Sequence, residues 1–191
     1  MLRRKMTEAL LDWKKAQPSK VFILLGARQT GKTYTVRQFA REHYGVYLEV
    51  NFLEDQENGA FLANASSADE LVSRLSLIAG HELGADTLVF LDEVQELGHD
   101  VVTLSKFLVE DGRFALVLSG SLLGTRLKGI RSFPVGYARV ERMYPLDFEE
   151  FCWAMGVPDG ILAEVRDHWA NKTPLEETLH AKLVQLFRQY I

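Results

Sequence analysis

Cysteine is nearly absent from this 191-residue chain. Cys152 stands alone, which excludes an internal disulfide framework and fits a reducing compartment. Histidine is scarce too, and His43, His81, His99, His168 and His180 never fall at zinc-ligand spacing, which argues against a structural zinc site. No apolar run approaches the roughly 20 residues that span a bilayer; Val21–Leu25 is typical in length. The N-terminal Arg3, Arg4 and Lys5 are followed by Glu8 and Asp12 rather than by an apolar stretch, so the segment does not read as a signal peptide. Neither sign of charge dominates: 22 Lys and Arg against 26 Asp and Glu leave a net charge of −4, which gives no whole-chain reason to expect nucleic acid. Repeats, low-complexity tracts and Gly/Ser linkers are missing as well.

What remains is ordinary globular composition, 47% hydrophobic and 25% charged. At about 100–200 residues per domain, the length suits one domain or one and a half. The expectation is a soluble, cytoplasmic protein. Four short apolar runs read as buried strands: Val21–Leu25, Val46–Val50, Thr87–Leu91 and Phe114–Ser119. Three are uniformly hydrophobic, as when helices cover both faces of a parallel sheet. Between them, Val36, Phe39, Ala40 and His43 share a helical face. Ser67 and Glu70 form a capping-box pattern ahead of Leu71, Leu75 and Ile78. Asp100 is placed to cap a helix with Val101, Leu104 and Leu108 inside, stopped by Asp111-Gly112. Strands alternating with helices predict an α/β fold.

The last third reads differently. Phe133 to Tyr144 is expected to add a strand that Pro145 ends. Asp147 and Glu150 then repeat the capping pattern before Phe148, Phe151, Cys152 and Met155. Thr173-Pro174-Leu175-Glu176 reads as a helix start, with Thr173 as N-cap, and Leu175, Leu179, Leu183 and Leu186 form a stripe behind it. Both stripes read as core in preference to a partner-binding groove. A helix still amphipathic at Gln189-Tyr190-Ile191, with neither glycine cap nor polar tail, reads as cut rather than finished. The division expected is 1–150 for the main domain and 151–191 for a small helical extension.

Gly26-Ala27-Arg28-Gln29-Thr30-Gly31-Lys32-Thr33 matches the phosphate-binding loop G-x-x-x-x-G-K-[ST]. Glycines let the backbone turn tightly and approach phosphates, so that successive amides form an anion nest at the positive end of the next helix. Lys32 supplies a point charge to the β- and γ-phosphates, and the Thr33 hydroxyl is a magnesium ligand. The nucleotide-binding segment is taken to run on to Tyr34. The loop follows an apolar strand and precedes an amphipathic helix, the context that confirms the motif. A second signal lies 59 positions beyond Thr33, where Leu88-Val89-Phe90-Leu91-Asp92-Glu93 ends an apolar strand in two carboxylates, the Walker B arrangement. Asp92 would hold magnesium and Glu93 would orient and deprotonate the attacking water, which points to hydrolysis. Gln95 is a weaker candidate for the γ-phosphate region.

The strand at Phe114 ends in Ser119-Gly120-Ser121, at the edge where open α/β sheets bind ligands. ATPases with adjacent Asp and Glu order their sheet 5-1-4-3-2, which puts this strand between the other two. Ser119 or Ser121 then serves as a γ-phosphate sensor, or the small residues simply make a tight turn. Arg126, Lys128, Arg131, Arg139 and Arg142 form a basic stretch offset by Glu141. It supplies a transition-state arginine, contacts nucleic acid, or is a solvated edge. No Asn-Lys-x-Asp guanine signal occurs, which favours ATP.

Taken in order, Gly26–Thr33, Val89-Phe90-Leu91-Asp92-Glu93-Val94-Gln95, Ser119-Gly120-Ser121 and Met143-Tyr144-Pro145-Leu146-Asp147-Phe148-Glu149-Glu150-Phe151 resemble prokaryotic AAA-type P-loop ATPases. Those proteins carry an N-terminal ATPase domain and a C-terminal domain of unknown function. The likeness covers about Val21 to Phe151. It implies a three-layer P-loop sandwich on a mostly parallel 5-1-4-3-2 sheet, ATP and magnesium at Gly26–Thr33, Asp92 and Glu93, and a further domain beyond Ile191. The activity expected is magnesium-dependent ATP hydrolysis driving a conformational change in a larger protein or assembly, through self-association or a protein partner and without a membrane. The alternative is a nucleotide-dependent switch with little turnover, associated with nucleic acid through the basic stretch.

Overall fold

The structure, a computed structural model, describes residues 2–16, 21–96, 112–121 and 138–191. They fall into two compact units: Met6–Tyr144, and Met1–Lys5 together with Pro145–Ile191. A division at residue 150 would cut the first helix of the second unit.

The first unit is built on five strands, β1 (Val21–Leu25), β2 (Val46–Asn51), β3 (Thr87–Asp92), β4 (Ala115–Gly120) and β5 (Ala138–Arg142). They form one sheet in the order β2-β3-β4-β1-β5, and every pair is parallel. Read from the other edge this is the expected 5-1-4-3-2 order. The fifth strand ends at Arg142, two residues before the expected Tyr144, and residues 133–137 lie outside the described residues.

Strand side chains alternate between faces, and each face has its own helices. Phe22, Leu24, Leu88, Phe90, Ala115 and Val117 pack with Leu10 and Trp13 of α1 (Met6–Lys15) and with Val36, Phe39 and Ala40 of α2 (Lys32–His43). Val21, Ile23, Val50, Val89, Leu91, Leu116 and Leu118 pack with Leu62 of α3 (Gln56–Ala63) and with Leu71, Val72 and Leu75 of α4 (Ala68–Ala79). The result is the expected three-layer sandwich. Fully burying one such side chain is worth about 1.5–3 kcal/mol, and β3 and β4 are buried along their whole length. This explains the apolar runs Leu88–Leu91 and Ala115–Leu118 within them.

Ser67 caps α4 by accepting the Glu70 amide, 3.2 Å. The reciprocal half of the capping box is displaced by one residue, because the Glu70 carboxylate takes the amide and hydroxyl of Ser66 instead of the Ser67 amide. Those two bonds and Arg74 hold the Glu70 carboxyl down to about 2. The helix expected from Asp100 lies outside the described residues.

The second unit contains α5 (Phe148–Ala154), α6 (Asp159–Asn171) and α7 (Glu177–Tyr190). Asp147 and Glu150 make the full capping box on α5. Its core is small: Cys152, Leu162 and Leu186, with Phe148, Phe151, Trp153 and Val157 against them. Met155, expected on the inner stripe, is the C-cap of α5 and exposed. The last helix begins at Glu177, not behind Thr173. Thr173 closes the preceding helix, its amide reaching the His168 carbonyl at 3.0 Å past a left-handed Lys172 (φ 55°), which is the Schellman arrangement. Glu176 caps α7 instead, accepting the amides of Thr178 and Leu179.

Arg3, Arg4 and Lys5 belong to this unit. Arg4 Nε donates to Glu150 Oε1 at 3.1 Å, both side chains about 95% buried (5% and 6% exposed). Lys5 pairs with Asp147 and Glu149, and Arg3 pairs with Asp159 while lying 4.0 Å over the Trp153 ring. Burial pushes the Asp147 carboxyl up, but the Glu150 amide and the Lys5 ammonium outweigh it and hold it low. Among the described residues, no helix is long and apolar enough to cross a membrane.

Candidate functional site

The sheet order leaves β4 between β1 and β3, so the chain reverses direction across the sheet at this point. Such a switch opens a crevice at the carboxyl ends of the strands. Leu24 is level with Ser119, Leu25 with Gly120, and Asn51 with Asp92. Leaving that edge, β1 enters the Gly26–Thr33 loop.

Two glycines shape the loop. A Cβ on Gly26 would lie 2.5 Å from the Met143 carbonyl oxygen, so the first position admits no side chain without moving backbone. Met143 is held there by its own amide, which donates to the Leu25 carbonyl at 2.7 Å. Gly31 stands at φ 89° as the N-cap of α2 and offers no side-chain cap to the amides of the first turn. Gln29 is also left-handed, at φ 64°. Ala27, Arg28 and Gln29 are exposed at the tip, and Thr30 ties the loop by donating to the Ala27 carbonyl at 3.0 Å. Tyr34, the next residue after the motif, is 45% exposed.

Lys32 is 5% exposed and its Nζ donates to the carbonyls of Gly26 (3.0 Å) and Ala27 (2.9 Å). Asp92 is 1% exposed. Its Oδ2 accepts the Thr33 hydroxyl at 2.6 Å and Asn51 Nδ2 at 3.5 Å; its Oδ1 accepts the Ser119 hydroxyl and the Glu93 amide at 3.0 Å. Among the described residues neither charge has an ionic partner: the lysine meets only carbonyls, the aspartate only neutral donors. Buried charges are normally paired or bound to a metal. An anion would fit beside Lys32 and a cation beside Asp92, and the Thr33 hydroxyl, having given its hydrogen to Asp92, keeps its lone pairs. Among the described residues no cluster of three or more His, Cys, Asp or Glu could hold a metal by itself.

Glu93 follows at φ 56° and accepts a hydrogen bond from Gln95 Nε2. The predicted site residues Lys32, Thr33, Asp92, Glu93 and Ser119 therefore come together. Ser119 does so in an unexpected way: fully buried, its hydroxyl is committed to Asp92, where it orients the carboxylate. Ser121, also buried, makes none of these contacts. Of the basic stretch, Arg126, Lys128 and Arg131 lie outside the described residues. Arg139 is engaged on β5, its Nε donating to Glu141 at 3.0 Å. Asn51 is the site residue that motif reading missed. Its signal was positional, because it directly follows the apolar run Val46–Val50 at the carboxyl end of its strand, as Asp92 follows Leu91. Its Oδ1 also accepts the amides of Leu53 and Glu54, which fixes the side chain as an Asx turn.

Comparison with known proteins gives one family: the profile of the AAA domain matches residues 18–152. No curated protein matches the chain. Among solved structures, the chain is similar to one described as the structure of C. elegans PCH-2, with 14% identity and a TM-score of 0.46. The match covers 91% of this chain and 46% of that one, so the chain spans about half the length of the protein it resembles.

Proposed function

The chain belongs to the AAA domain family, and from that premise we propose that it binds ATP with magnesium and hydrolyses it to drive a conformational change in a larger protein or assembly. The observation that carries this reading is a pair of buried charges, Lys32 and Asp92, which among the described residues meet only carbonyls and neutral donors respectively. A triphosphate supplies the anion that Lys32 lacks, and a divalent cation on those phosphates supplies the positive charge that Asp92 lacks. The loop amides and the uncapped first turn of α2 add donors for phosphate oxygens.

The roles then follow from chemistry. Lys32 turns from the loop carbonyls to the β- and γ-phosphates, a charge-assisted contact stronger than the one it leaves. Thr33 and Asp92 would hold magnesium, which neutralises charge on the phosphate oxygens when bound. Ser119 and Asn51 keep Asp92 in its rotamer. Glu93 accepts a proton as the water oxygen bonds to the γ-phosphorus. The bond from that phosphorus to the β,γ-bridging oxygen breaks, its electron pair leaving with ADP. Glu93→Gln removes the acceptor and little else. ATP should still bind, and phosphate release should fall by about 100-fold or more, the scale of general-base catalysis. An unchanged rate in Glu93→Gln contradicts the assignment.

The second reading is a switch with little intrinsic turnover in the isolated chain, its transition-state arginine supplied by a second subunit. If a second subunit supplies that arginine, phosphate release rises more than linearly with protein concentration. A release that is absent at every concentration, with ATP bound, identifies the switch.

A further inference from the structure

The turn after β3 carries two local penalties. Glu93 occupies left-handed backbone, φ 56°, which disfavours any residue with a side chain. Two positions on, Gln95 is 8% exposed, and its Oε1 is buried with no hydrogen-bond donor among the described residues. A stranded acceptor is costly, and a methionine would fill similar volume without one. Local violations of this kind concentrate where function demands them.

The other end of the same amide shows what the glutamine does. The turn Val94–Glu96 is closed by the Glu96 amide on the Glu93 carbonyl at 3.1 Å, which folds Gln95 back toward Glu93. Nε2 donates to Glu93 Oε2. Electrostatics set this orientation, since a flipped amide would put Oε1 against a carboxylate oxygen. The remaining carboxylate oxygen, Glu93 Oε1, has no hydrogen bond among the described residues. We infer that Gln95 is a positioning residue for Glu93: it pins Oε2 and thereby presents Oε1 as the proton acceptor. The inference rests on the hydrolytic reading above and deepens it. In the step described there, the water's proton passes to Oε1 while Oε2 stays bonded to Gln95.

A glutamine kept only for packing and one kept to aim Glu93 predict different outcomes on replacement. In Gln95→Met the volume is conserved and both the stranded acceptor and the donor are removed. The melting temperature should hold or rise, and ATP affinity in magnesium should stay within about twofold. The kcat should fall by about 10- to 100-fold, the cost of a misaligned catalytic group. Gln95→Glu, which sets a second carboxyl against Glu93 so that the two either repel or share the proton Glu93 must accept, should lose at least as much. The measurement is steady-state phosphate release with calorimetric binding and thermal melts on the parent, both Gln95 variants and Glu93→Gln. A slow but stable and nucleotide-competent Gln95→Met supports the inference. Parental kcat in Gln95→Met overturns it while Glu93→Gln still reports on the hydrolytic reading. Loss of stability and affinity along with kcat overturns it too, by making the residue a packing element. A parent that binds ATP yet is as inert as Glu93→Gln overturns both.

Discussion

Replacing Asp92 by Asn separates what the residue does for the empty protein from what it does for the ligand. Burying the carboxylate at 1% exposure costs several kcal/mol. Against this stand four donors, from Thr33, Ser119, Asn51 and the Glu93 amide, and hydrogen bonds to a charged group contribute about 1.5–3 kcal/mol each. The two contributions are of similar size. An asparagine sheds the desolvation cost and keeps most of the bonds, since both hydroxyls can rotate to accept as well as donate. The unliganded Asp92→Asn protein should therefore melt within about 3 °C of the parent, or about 1 kcal/mol at this size. With ATP and magnesium at 100 times Kd the parent gains about 2.7 kcal/mol. That corresponds to a rise of about 5–11 °C. The variant, unable to complete the metal shell, should lose the magnesium-dependent part of that rise. Thermal melts with ATP, in magnesium and in chelator, measure both. Retention of the full magnesium-dependent rise refutes the metal role, and a collapse of the unliganded variant refutes the balance of burial against hydrogen bonding.

Other consequences can be checked in the same preparation. Gly26→Ala drives a methyl into the Met143 carbonyl, 2.5 Å away, so backbone must move. Overpacking of this kind costs about 1–3 kcal/mol, and ATP affinity should fall with it; an alanine variant of parental stability and affinity contradicts the geometry. Arg4→Met leaves Glu150 buried without its partner and should cost about 3–5 kcal/mol in denaturant unfolding. The double variant with Glu150→Gln should recover most of that, and a single variant of parental stability would show that the pair is not formed. Acid should loosen the α5–α7 unit. Asp147 and Glu149 titrate below their ordinary values of 3.8 and 4.5, so their stabilisation is complete above those values and lost as pH falls through the lowered ones. Lys5 is shifted the other way, upward from 10.5 despite the opposing effect of burial, so its share is present below 10.5 and lost above. Helix content of the unit that stays constant from pH 7 to 2 would contradict this.

Whatever depends on residues close together in the chain was legible in advance. The strands β1 to β4 show as apolar runs because two helical layers cover them, and the Gly26–Thr33 loop shows because phosphate geometry dictates its glycines. What failed to show is pairing at a distance. Arg4 and Glu150 are 146 positions apart, and nothing in Arg3-Arg4-Lys5 says that these charges dock on α5 rather than face solvent. Ser119 was recognised by its place at a strand end, but its partner Asp92 follows only from the strand order, which sets β4 beside β3. Thr173 was misread because a helix start and a helix end use the same residue types. Only the left-handed Lys172 before it decides which helix it serves. The helices α3 and α6 are hard to read for a different reason: α3 contains Asn58 and Gly59 and α6 buries only Leu162, so periodicity is faint in both, whereas α1 is amphipathic, with Leu10 and Trp13 buried three apart, and its stripe was legible.

The two buried charges Lys32 and Asp92 are proposed to receive a triphosphate and its metal together. Calorimetric titration of ATP into the parent, with magnesium and with chelator, and into Lys32→Ala tests it most directly. Binding to the parent should be tight in magnesium and weaker in chelator, and Lys32→Ala should lose binding in either condition. Equal affinity in all of them would contradict it.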